Sequence, residues 1–163
     1  MTKKIYELAE KLGAALKAQK LTLVTAESCT GGWIGEAVTA VPGSSEWYER
    51  GFITYTNVAK REMLGVEDAT LNKFGAVSPE TVKAMASGAL AHSHAQVAVS
   101  VSGIAGPSGG TPTKPVGMVC IAWQRAGGEA VAETHRFDGD REAVRRVSVI
   151  CSLDGLLKLV AAR

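Results

Sequence analysis

The chain has 163 residues, 46% of them hydrophobic and 21% charged, and its 18 Lys and Arg against 16 Asp and Glu leave a formal charge of +2. That is ordinary globular usage, so disorder is excluded and a single domain over 1–163 is expected, long enough to bury a real core. The charges are scattered rather than gathered in a basic stripe, and no apolar run approaches the ~20 residues of a membrane span, so neither nucleic acid nor a membrane is expected as a partner.

Ile5, Leu8, Ala9, Leu12 and Leu16 recur at helical spacing, which predicts an amphipathic opening helix and not the apolar core of a signal peptide. Residues 21–24 form a short apolar, partly β-branched run, a candidate buried strand. It leads through Ala26-Glu27-Ser28-Cys29-Thr30-Gly31-Gly32 into a helical stretch over 33–41, which Pro42-Gly43-Ser44-Ser45 stops. A strand is predicted over 51–56, followed by a helix over 58–64 with Asn57 as N-cap and Gly65 behind it. Ser78-Pro79-Glu80 starts a helix running to about Ala91. The small apolar run 95–102 reads as a central strand covered on both faces, and 103–112, rich in glycine and proline, as a long loop. Segments 116–123 and 130–137 flank Gly127-Gly128 as a hairpin, and Asp138-Gly139-Asp140 opens a last helix. Helices alternating with strands, plus a hairpin, predict an α/β fold: a three-layer α/β/α sandwich with a mixed, partly parallel sheet.

Three cysteines without CxxC spacing, and no Cys/His ligand cluster, predict a reduced, cytoplasmic protein with no metal site. Ser28 stands where a strand meets a glycine turn and a helix, so the following N–H groups can face an anion or an oxyanion; a plain N-cap is the competing reading. The segment is neither a G-x-S-x-G elbow nor a P-loop. His92 and His94 fall at a helix end and His135 inside a strand, so a Ser-His-Asp triad is poorly supported. Lys60 is the alternative base: if its strand neighbours the first one, both ends open on the same sheet edge. It must then titrate about three units below its reference value, a shift of roughly 4 kcal/mol that burial or a cation such as Arg141 can supply; otherwise it is a surface lysine. Cys29 is a rival nucleophile or a buried small hydrophobe. The 103–110 loop suits close approach to a phosphate or sugar, and Arg141 or Arg145 a phosphate clamp, unless these arginines only form a solvated face.

Thr25-Ala26-Glu27-Ser28-Cys29-Thr30-Gly31-Gly32 resembles the signature of the CinA C-terminal domain family. So do Gly51-Phe52-Ile53-Thr54-Tyr55-Thr56-Asn57 with Lys60, Gly75-Ala76-Val77-Ser78, Ser102-Gly103-Ile104-Ala105-Gly106-Pro107 with Gly109-Gly110, and Gly139-Asp140-Arg141. The resemblance covers nearly the whole chain. It implies hydrolysis of nicotinamide mononucleotide to nicotinic acid mononucleotide and ammonia, in pyridine-nucleotide recycling, without metal or cofactor, by a homo-oligomer. Ser28 would be the nucleophile, Lys60 the general base, and Tyr55 would orient the pair or the substrate. Thr30, Gly31, Gly32, Ser102, Gly103, Gly106 and Arg141 would bind substrate. A non-catalytic binding module and an amidase for another small amide are the alternatives.

Overall fold

The computed structural model describes residues 2–162. Its elements are α1 (Lys3–Ala18), β1 (Leu23–Glu27), α2 (Trp33–Thr39), β2 (Tyr48–Ile53), α3 (Asn57–Leu64), α4 (Asp68–Phe74), α5 (Pro79–Ala91), β3 (Val97–Gly103), β4 (Met118–Arg125), β5 (Val131–Arg136) and α6 (Arg141–Ala161). One sheet of order β2-β1-β3-β4-β5 runs through the centre. β1 is parallel to both β2 and β3, and β3, β4 and β5 pair antiparallel, so the expected mixed sheet is present.

Alternation along the strands feeds two cores. Leu23, Val97, Val99, Val101, Val119 and Ile121 face α1, α2 and α6, where they meet Ile5, Leu12, Ile34 and Leu153. Val24, Ala26, Ala98, Cys120 and Ala122 face the layer of α3, α4 and α5, against Leu64, Leu71, Val82 and Met85. The crossover from β1 to β2 runs through α2 on the first face. The crossover from β2 back to β3 runs through α3, α4 and α5 on the second, as one crossover handedness requires. The chain therefore leaves β1 in one direction and returns at β3 on its other side. That reversal opens a crevice beyond the carboxyl ends of β1 and β3, where ligands of open α/β sheets collect.

Several boundaries differ from the sequence expectation. The second strand lies at Tyr48–Ile53 instead of 51–56, because Thr56 is needed outside the sheet: its hydroxyl accepts from the Ala59 N–H at 3.0 Å and caps α3. Thr56, not Asn57, is thus the N-cap, and Asn57 opens the helix. The first strand begins two residues later than expected because Leu21 still donates to the Leu16 carbonyl, closing α1. The short α4 went unpredicted; its N-cap, Glu67, makes no side-chain capping bond that would have marked it. The hairpin turns where Gly127-Gly128 predicted, with Gly128 donating to Arg125. No helix among the described residues is long and apolar enough to cross a membrane.

Candidate active site

Ser28 follows β1 directly, and its N–H donates to Val101 of β3, which pins the strand ends together. Two glycines with positive φ, Gly31 at 60° and Gly32 at 105°, turn the chain from there into α2. Alternation puts Ser28 and Ser102 on the α3–α5 side of the sheet, where α3 presents Lys60. Gly88 lets α5 press against α3; a Cβ there would run into the Leu64 carbonyl.

Lys60 is 1% exposed, and its Nζ lies 3.1 Å from Ser28 Oγ, 3.0 Å from the Thr54 carbonyl and 3.2 Å from the Tyr55 carbonyl. It takes part in none of the ion pairs among the described residues. Burial therefore pulls its pKa below the ordinary lysine value, with Cys29 opposing. As a cation Nζ can donate to all three oxygens; as a neutral amine it keeps two N–H groups for the two carbonyls and has one lone pair left for the Ser28 hydroxyl. That is the arrangement of a base beside a nucleophile. Arg141 lies outside the causes of this shift; burial alone lowers it.

A cavity of about 330 Å³ opens over this pair. Of the residues singled out in the sequence, Ser28, Lys60, Tyr55, Ser102, Gly103, Gly106 and Arg141 line it, as does Cys29. Tyr55 contributes in two ways: its carbonyl holds Lys60 and lies 3.3 Å from Ser28 Oγ, while its 58%-exposed ring offers a hydroxyl to Arg141 at 3.2 Å. Arg141 also donates to the Gly106 carbonyl at 2.9 Å, which ties α6 to the glycine loop. Ser102 is a buried residue, and its hydroxyl, which makes no hydrogen bond among the described residues, is not among the fully buried atoms and is open to the cavity it lines.

Thr30, Gly31 and Gly32, expected to bind substrate, lie outside the lining of this cavity. The reason is Glu27, which sequence reasoning passed over. Its buried carboxylate accepts from Thr30 Oγ1 at 2.6 Å and from the N–H groups of Ile34 and Gly35 at 2.9 and 3.0 Å. The anion at the start of α2 is thus supplied by the chain itself, on the face away from Lys60. Gly31 N–H is also spent, on the Ser28 carbonyl, whereas those of Cys29 and Thr30 have no backbone partner among the described residues. Arg145, the other clamp candidate, donates to the carbonyls of Cys29 and Thr30 at 3.0 and 3.1 Å and braces the turn.

Burial pushes the Cys29 thiol up to about 12, so it stays protonated near neutrality and is a poor nucleophile. All three histidines are elsewhere. His92 closes α5 with Nδ1 2.8 Å from the Gly88 carbonyl, His94 follows it, and His135 sits on β5, so none lines the cavity.

The family described as the CinA C-terminal domain matches residues 5–160. The chain is 54% identical over 155 residues to the nicotinamide-nucleotide amidohydrolase PncC of Pseudomonas putida, covering 95% of this chain and 96% of that protein. It is 51% identical over 152 residues to the protein of the same name from Escherichia coli K12, covering 93% and 92%. The crystal structure of the competence/damage inducible protein CihA from Agrobacterium tumefaciens superposes with a TM-score of 0.95 at 46% identity, over 98% of this chain and 97% of that one.

Proposed function

We propose that this chain, which belongs to the CinA C-terminal domain family, is an amidohydrolase that converts nicotinamide mononucleotide to nicotinic acid mononucleotide and ammonia through an acyl-enzyme on Ser28. The observation that carries the chemistry is the buried Lys60 amine 3.1 Å from Ser28 Oγ, with two carbonyls and no carboxylate around it.

Lys60 Nζ takes the Ser28 proton as Oγ attacks the carboxamide carbon. The donor nearest at hand for the oxyanion that forms is the N–H of Cys29, which lines the cavity and has no backbone partner among the described residues. Lys60, now an ammonium, returns the proton to the departing nitrogen, and ammonia leaves. A water then attacks the ester while Lys60 takes its proton; collapse frees the acid and restores the Ser28 hydroxyl. Tyr55 and Thr54 act through their carbonyls, which hold Nζ in one rotamer, while burial favours its neutral form. The phosphate and ribose fall to the other side of the cavity. There Arg141 uses only part of its five-donor guanidinium on Gly106 and Tyr55, and Ser102 and the 103–109 loop offer a hydroxyl and unpaired N–H groups.

The test is ammonia release and acid-product formation by the purified chain given nicotinamide mononucleotide, with nicotinamide and its riboside in parallel. Turnover of the mononucleotide well above that of the other two supports the reading. Turnover of none, by folded protein, would overturn it.

A further inference from the structure

On the opposite edge of the sheet from β2, three strands away from β1, the fold gathers a group of side chains that no sequence spacing announces. Glu133 and His135 stand two apart on β5 and so project from one face, and Cys151 comes up to them from α6. His135 Nε2 lies 2.9 Å from Glu133 Oε1 and 3.5 Å from Cys151 Sγ, and the three atoms lie within 4.8 Å of one another. We propose that Glu133, His135 and Cys151 form a binding site for a divalent metal ion of the Zn²⁺ class, fastening the edge strand β5 to α6.

Three features support it. Metal–nitrogen and metal–sulfur bonds of about 2.0 and 2.3 Å at tetrahedral angles put the ligand atoms roughly 3.5 Å apart, which is the nitrogen–sulfur separation found here. The shorter Glu133 contact widens by rotation of an exposed side chain. The imidazole is already oriented, stacked on Phe137 with centroids 5.2 Å apart and planes 13° from parallel. Finally, thiolate, imidazole and carboxylate are a donor set that suits Zn²⁺ over Mg²⁺ or Ca²⁺, and two negative ligands balance the charge of the ion. On binding, the Cys151 proton passes to solvent as the sulfur–metal bond forms. The adjoining cavity of about 320 Å³, edged by Lys4 and Asp154, leaves room for water as a fourth ligand. It shares no lining residue with the cavity over Ser28.

The experiment uses tag-free full-length protein. Zn²⁺ is titrated by calorimetry, and Co²⁺ is followed by absorbance for the thiolate-to-metal charge-transfer band. The proposal predicts one equivalent bound, a thiolate band with Co²⁺, and affinity lowered at least about tenfold in Cys151→Ser and His135→Ala. The band disappears in Cys151→Ser. Glu133→Gln, a change at an exposed side chain that spares the fold, weakens Zn²⁺ as well. No uptake of Zn²⁺ by the wild type would overturn the proposal and leave a His135–Glu133 ion pair. So would binding that survives Cys151→Ser and His135→Ala, or a Co²⁺ complex without the thiolate band.

Discussion

At the scale of single residues, the site turns on an amine that has lost its water and gained only neutral partners. Lys60 is held toward its uncharged form because carbonyl dipoles and a hydroxyl offset less of its lost hydration than a carboxylate would. Ser28→Ala and Lys60→Met should each lower kcat by a factor on the order of 10⁴ or more. The double variant should lose little beyond either single one, because the two act as a unit; steady-state ammonia release measures all three. Cys29→Ala should change kcat only a few-fold, since its thiol stays protonated, and a loss as large as that of Ser28→Ala would return the thiol to consideration. Ser28 and Lys60 were legible because each is a reactive side chain inside a distinctive motif. Glu27, and the carbonyls of Thr54 and Tyr55, were not: a carboxylate that caps its own downstream helix, or a carbonyl that binds an amine, leaves no mark in a pattern of side-chain types.

Elements place these residues by means that are partly local and partly tertiary. Long periodic helices and the Gly-Gly hairpin were readable because propensity, capping and periodicity agreed there. The second strand was misplaced by three residues because Thr54 and Thr56 favour strands intrinsically, while the α3 cap and the Lys60 amine require them outside the sheet. Close packing of α5 on α3 is equally invisible in sequence, and it fixes where Lys60 sits. Gly88→Ala drives a methyl into the Leu64 carbonyl. It should destabilise the fold by about 1–3 kcal/mol by overpacking and, on the proposed mechanism, lower kcat more than it raises KM, because the displaced helix carries Lys60, the proposed base, and none of the proposed substrate contacts. Urea unfolding and a kinetic comparison with Gly128→Ala, at a turn position without positive φ and with only ordinary contact at 3.4 Å, would check this.

For the whole molecule, a depressed lysine pKa becomes a dependence of stability on pH. Between the lowered Lys60 pKa and its ordinary value of 10.5, the unfolded chain binds one more proton than the native one. Stability contributed by this group therefore rises with pH across that window, by up to about 1.4 kcal/mol per unit, and is flat below the lowered pKa. Lys60→Met removes that slope. The difference in unfolding free energy between wild type and Lys60→Met should shift in favour of wild type as pH rises toward 10.5, measured by denaturant titration at several pH values. The layer order and mixed sheet that create the site were predictable from alternating elements and one hairpin. Which strands neighbour β1 was not, since a reversal of strand order is a property of the assembled sheet and not of any one segment.

The most direct test is to quench the enzyme during turnover of nicotinamide mononucleotide and weigh the intact protein, with peptide mapping of any adduct. The account predicts a mass gain equal to the substrate less ammonia, located on Ser28 and absent from Ser28→Ala. Product formed by wild type with no adduct under conditions of rapid acylation, or an adduct on Cys29 instead, would contradict it.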